Sequence, residues 1–293
     1  FKETNSELKH LIVVIHGAGL NAEKSFNTAN SVANALWSSS NQSMIIAPQF
    51  LEGIEPDEKG LLQWNEQWRS GGESLSEDST IDLPKITSFE IVDRLIRDIT
   101  EYNPTIRQII LLGHSAGGQF VSRYAALSNQ YEDLYLQGVK ILFVAANPSS
   151  YLYLDSTRYH INEEGEIITY SNKQLSECES YNYYKYGLEN RYGYGKSISK
   201  QVIQGNLTKR SMLYLLGQND TRQGLTLDKS CEVEVQGENR FERGILYRHH
   251  LQTVVSTDKD SNLHWFEVPD VGHNANEIFT HVGVIQKLKS LTR

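Results

Sequence analysis

The sequence predicts an α/β fold with a mostly parallel central sheet flanked by helices, and three observations carry that prediction. Apolar, β-branched runs recur without alternation, as in Leu11-Ile12-Val13-Val14-Ile15 and Ile109-Ile110-Leu111-Leu112, which is the pattern of strands covered on both faces. Segments with apolar residues at helical spacing lie between them, so strand and helix alternate. The turns that follow the strands carry glycine, histidine and acid residues, and folds of this class bind ligands beyond the carboxyl ends of their strands. The chain has 293 residues, enough for one large core. The order of elements reads as a single domain over 1–293, with 149–208 as a cap-like or loop-rich insertion within it.

Leu11 to Ile15 is the first strand, with no clear strand before it, and His16-Gly17-Ala18-Gly19-Leu20 is the glycine-punctuated turn at its end. This turn lacks the glycine spacing of a dinucleotide loop and the Gly-Lys-Ser/Thr of a phosphate loop. Phe26 to Trp37 fits an amphipathic helix, and Met44 to Ala47 a short strand stopped by Pro48. Phe50 to Pro84 is long and irregular; its Trp64 and Trp68 either line a cleft or cover the edge of the sheet. Thr87-Ser88-Phe89-Glu90 forms a capping-box pattern, and the helix it opens runs to Asn103-Pro104. A strand of apolar character ends in Gly113-His114-Ser115-Ala116-Gly117 and passes at once into helix; Val139 to Ala145 is the next strand. Residues 149–208 break this rhythm, and ten of the sixteen tyrosines fall between Tyr151 and Tyr194. Such a composition suits either a substrate surface of amphipathic rings, Tyr151 among them, or a loop-rich excursion that packs through tyrosine. Ser211 to Leu216 is a strand followed by Gly217-Gln218-Asn219-Asp220. A helix over about 239–255, the strand Leu263 to Val268, the loop Pro269 to Asn274 and a final helix complete the chain.

A net charge of −8 without a basic cluster argues against nucleic acid as a partner. No apolar run approaches the roughly 18 residues of a membrane span. The two cysteines, Cys178 and Cys231, have no metal-ligand spacing, so no metal is expected. Both lie in polar, loop-like stretches, where a mutual disulfide is the economical reading and implies an oxidising, exported location; two free thiols in a cytoplasmic protein are the alternative. The chain begins with Phe1 and shows no leader pattern, as expected of a processed or trimmed form.

The stretch around Ser115 carries chemistry. A serine between two glycines at a strand-to-helix turn matches the nucleophile-elbow pattern, in which the turn strains the serine and the glycines permit close approach of strand and helix. Serine is a poor nucleophile at neutral pH and needs a base, and the base needs an acid to fix its tautomer. Ser115, Asp220 and His273 fall in that order, each beyond a different strand. Asp270 is the rival acid, three residues before His273 on one loop. The backbone N–H of Ala116 is one candidate oxyanion donor, and that of Ala18 the second, with Gly19 the neighbouring choice.

With these residues the sequence resembles the α/β-hydrolase superfamily across nearly its whole length. Ser88-Phe89-Glu90, Gly113-His114-Ser115-Ala116-Gly117-Gly118-Gln119-Phe120, Asn147-Pro148-Ser149-Ser150-Tyr151, Tyr186-Gly187-Leu188, Gln236-Gly237 and Gly272-His273 look like a poorly characterised hydrolase group of bacteria and fungi. The resemblance implies an ester or amide hydrolase without a cofactor. A serine esterase for short- to medium-chain, polar or aromatic esters is the expectation; a lipase or thioesterase on the same three residues, or a non-catalytic ligand-binding module on the same fold, are the alternatives. The absence of strands before Leu11 predicts a sheet shorter than the usual eight.

Overall fold

In the computed structural model, which describes residues 7–37, 40–52, 61–75, 85–224, 227–255 and 262–292, the apolar runs become strands of one sheet. β1 (His10–Ile15) leads into α1 (Ala22–Leu36) and β2 (Ser43–Ile46). β3 (Leu51–Glu52) and β4 (Gln63–Trp64) form a small parallel pair outside the main sheet. α2 (Ser88–Tyr102) feeds β5 (Gln108–His114), which turns into α3 (Ala116–Leu127); α4 (Gln130–Leu136) and β6 (Lys140–Ala146) follow. The tyrosine-rich segment contributes the hairpin β7 (Tyr159–Ile161) and β8 (Ile167–Thr169), the one-turn α5 (Asn172–Leu175) and α6 (Lys200–Lys209). β9 (Ser211–Gly217), the one-turn α7 (Cys231–Glu234), α8 (Arg240–Val254), β10 (Leu263–Val268), α9 (Ala275–Thr280) and α10 (Val282–Leu291) end the chain.

The main sheet has six strands in the order β10-β9-β6-β5-β1-β2, and every pairing in it is parallel. Alternate residues of each strand enter two separate apolar layers. Leu11, Val13, Ile15, Ile109, Leu111 and Phe143 face α2, α3 and the tyrosine-rich segment, while Ile12, Val14, Ile110, Leu112 and Val144 face α1, α9 and α10. Both faces are dry, which is why the strands read as unbroken apolar runs.

Helix ends follow local capping. α2 starts with the expected capping box: the Glu90 N–H donates to Thr87 Oγ1 and the Thr87 N–H to the Glu90 carboxylate. α1 starts earlier than its apolar spacing suggests, because Asn21 accepts from the Lys24 N–H at 2.7 Å and so adds a polar first turn. The expected last helix is two, α9 and α10, separated at His281, which is extended (ψ 134°).

Cys178 and Cys231 form a disulfide across 53 residues, tying the tyrosine-rich segment to α7. A loop of that length stabilises the fold by about 4 kcal/mol on the chain-entropy account.

Candidate active site

β5 and α3 meet at Ser115, whose φ of 57° places a non-glycine residue in the left-handed half of backbone space. The close approach that holds it there depends on two glycines. A Cβ on Gly113 would fall 2.1 Å from the Gly117 carbonyl oxygen, and one on Gly117 would fall 2.2 Å from that of Ile15, so neither position accepts a side chain.

His273 lies on the loop after β10, beside the serine. Its Nε2 is 3.0 Å from Ser115 Oγ, and its Nδ1 is 2.7 Å from Asp220 Oδ2. The carboxylate accepts from Nδ1–H, which leaves Nε2 free to accept from the hydroxyl. Asp220 is buried on the loop after β9. Asp270 is exposed, and the carboxylate on His273 Nδ1 is that of Asp220.

Two residues that sequence reasoning passed over support this arrangement. Asn147, held at φ 44° just after β6, accepts from the Gly217 N–H at 2.8 Å and donates to the Gly272 carbonyl at 3.1 Å. It thus clips the acid loop to the histidine loop. Arg240, at the start of α8 and buried, lies 3.7 Å from Asp220 Oδ1 and donates through Nε to Ser149 Oγ at 2.8 Å. In the sequence Asn147 stood within the Asn147-Pro148-Ser149-Ser150-Tyr151 stretch without a role of its own, and Arg240 carried no local signal.

Two solved structures resemble this architecture over most of their length. Poly(aspartic acid) hydrolase-1 from Sphingomonas sp. KT-1 superposes with a TM-score of 0.62 at 20% identity, covering 98% of this chain and 88% of that one. LpqC, a poly(3-hydroxybutyrate) depolymerase from Bordetella parapertussis, gives 0.61 at 19% identity, covering 97% and 80%. The chain has the α/β-hydrolase fold. No protein-family model matches the sequence, and no curated protein matches it.

Within this α/β-hydrolase fold, Ser115 and His273 open into a cavity of about 380 Å³, lined also by Gly17, Ala18, Gly19, Lys24, His114 and Arg240. Ala18 and Gly19 are exposed to it on the turn after β1. His16 fixes that turn. Its Nδ1 donates to the Gly17 carbonyl at 2.9 Å, and its Nε2 accepts from the Phe50 N–H at 2.9 Å. Burial, the largest influence on it, pushes its protonation below the ordinary histidine range, so it stays neutral in this tautomer. The N–H of Ala116 begins α3 at the foot of Ser115, at the positive end of the helix.

The expected aromatic wall is a correction. Trp64, Trp68 and Tyr151 are buried in the core and do not line the cavity. Trp68 stacks on Phe50 with ring centroids 5.5 Å apart and packs 4.7 Å from His16; Trp64 meets Phe50 edge-on at 5.4 Å. Large rings beside a sheet edge gain more by meeting each other than by facing water, so the tryptophans buttress the turn after β1 from behind. Tyr151 packs on Tyr247 at 4.6 Å, and both its backbone groups pair with the Gln236 side chain. Among the described residues none from 149–208 lines the cavity.

Proposed function

We propose that this chain is a serine hydrolase that cleaves carboxylic esters through an acyl-enzyme intermediate. The observation that carries the reading is the continuous contact from Ser115 Oγ to His273 Nε2 (3.0 Å) and from His273 Nδ1 to Asp220 Oδ2 (2.7 Å) at the mouth of an open cavity. Ser115 attacks the ester carbonyl while His273 takes its proton. The N–H groups of Ala116 and Ala18, with Gly19 beside the latter, stabilise the oxyanion. His273 then protonates the departing alcohol, and water repeats the sequence on the acyl-enzyme. Asp220 holds the imidazole tautomer and stabilises its cation.

No large apolar side chain, aliphatic or aromatic, lines the cavity among the described residues, which supports short- to medium-chain esters, because a long acyl chain gains affinity only where each added methylene is buried against apolar surface. The disulfide supports an exported location. No helix among the described residues is long and apolar enough to cross a membrane.

Substitution tests the assignment of roles. Ser115→Ala is expected to lower ester turnover by about 10⁴- to 10⁶-fold. Asp220→Asn should cost about 10⁴-fold through loss of the correct tautomer, and Asp270→Asn far less. Steady-state rates on p-nitrophenyl acetate and butyrate decide it. Full activity in Ser115→Ala overturns the reading, and the reverse ranking of the two aspartates moves the acid to Asp270.

A further inference from the structure

The cavity over Ser115 is cationic in an otherwise acidic protein. Lys24 and Arg240 both line it, and no Asp or Glu does so among the described residues, although the chain carries a net charge of −8. The acids gather on the other side of His273, where Asp220, Asp270 and Glu277 line an adjoining cleft together with Arg222 and with Arg240, His273 and Asn274, which line both.

Lys24 is placed against the interest of its own helix. It sits in the first turn of α1, where the unpaired N–H groups already carry partial positive charge and an acid such as its neighbour Glu23 is favoured. Among the described residues it has no ion pair to compensate. Arg240 adds a buried guanidinium, held in place by Ser149 Oγ and facing Asp220 at 3.7 Å. Asn21, Ser25 and Thr28 continue the polar wall along the same face of α1. The field of these cations is felt inside the site: the His114 ring, whose Nε2 is buried without a partner, is kept neutral first by burial and then by His273, Arg240 and Lys24.

We propose that the substrate is an anionic ester, one bearing a carboxylate or comparable anion close to the scissile bond, and that Lys24 with Arg240 forms the subsite that receives the charge. The inference rests on the ester-hydrolase reading of Ser115. A cation aligned with the reacting bond raises the capture of such a substrate through attraction that salt screens.

Initial rates on two matched pairs test it. Monomethyl glutarate against methyl valerate places the charge on the acyl side, and 4-acetoxybenzoate against 4-methylphenyl acetate places it on the alcohol side. In at least one pair kcat/KM should favour the anion by about tenfold or more at low ionic strength, chiefly through KM, and the advantage should shrink as salt is added. Lys24→Gln should cut that ratio by about tenfold and Lys24→Glu by more; a glutamate suits the first turn of α1, so the variant folds. A ratio at or below one in both pairs while the neutral esters are cleaved overturns the proposal and leaves the esterase reading standing. A ratio that neither Lys24 variant changes also overturns it. Failure to cleave any of the four esters, with no phosphonate adduct on Ser115, removes the esterase reading and this proposal with it.

Discussion

The central sheet and parts of the tyrosine-rich segment between β6 and α6, Tyr151 to Leu154 above all, are buried, but different forces hold them. In the sheet, the interior is aliphatic and the polar backbone is satisfied by parallel pairing. In the segment, strand pairing among the described residues comes to the short β7–β8 hairpin and the isolated Tyr183–Glu189 bridge, and buried arginines supply many of the remaining ties. Arg158 donates to the carbonyls of Asp155, Thr157, Tyr181 and Tyr186 and lies 4.1 Å over the Tyr153 ring. Arg123 reaches the Lys185 carbonyl, Gln119 and Ser150; Arg243 reaches the carbonyls of Gly237, Ser149 and Asp228. Burial pulls the Arg158 and Arg243 guanidiniums down to about 10, which leaves both charged at neutral pH. An irregular chain can therefore be packed as deeply as a sheet if a multidentate donor collects its carbonyls. The consequence is a polar composition around a dry interior.

The largest effect expected from this contrast is at Arg158. Arg158→Met keeps most of the volume but strands several buried carbonyls, each worth about 1–3 kcal/mol when unsatisfied. A loss of roughly 5 kcal/mol in urea unfolding follows, more than the roughly 3 kcal/mol expected for Leu111→Ala in the sheet. A loss below about 1 kcal/mol would show that the segment is not held by its arginines. Next is the disulfide: Cys178→Ser with Cys231→Ser should lower stability by about 4 kcal/mol, and limited proteolysis of the double variant should cut first within the tyrosine-rich segment. First cuts in the sheet would reverse that ordering.

The smallest expected effect is a pH slope carried by His250. Its Nε2 accepts from the Leu154 N–H at 2.9 Å, where it anchors the start of the segment to α8. Burial is the main cause that pushes its protonation down to about 3 from the ordinary 6.5, against the opposing pull of Asp155. The unfolded chain therefore takes up a proton in this window and the native one does not. The stability from His250 is complete above about 6.5 and is lost as pH falls toward 3. The slope is at most about 1.4 kcal/mol per pH unit for one proton. Urea midpoints of His250→Asn measured between pH 7 and pH 5 should fall less steeply than those of the parent, and equal slopes would contradict the assignment.

This difference in forces also explains what could be read in advance. Strands buried on both faces must be continuously apolar, so β1, β5, β6 and β9 were legible. The elbow was legible because only glycine fits where β5, α3 and β1 nearly touch. The order Ser115, Asp220, His273 identified three side chains that the fold does bring into contact. The fate of Trp64, Trp68 and Tyr151 was not legible, since an aromatic residue suits a cleft wall and a core equally well, and distant partners decide between them. Gln236 and Tyr151 pair across 85 residues of sequence, and Asn147 reaches Gly272 across 125. Such contacts leave no local pattern. Lys24 was hidden because the α1 reading followed apolar spacing and began at Phe26, after the capped first turn that carries it.

The central claim is that Ser115 is the nucleophile and His273 its base, and its most direct test is the site of covalent capture. The intact protein, incubated with a fluorophosphonate and digested, should carry one adduct on the peptide containing Ser115, and His273→Ala should slow its formation by orders of magnitude. An adduct mapped to another serine, or labelling of Ser115 at an unchanged rate in His273→Ala, would contradict the account.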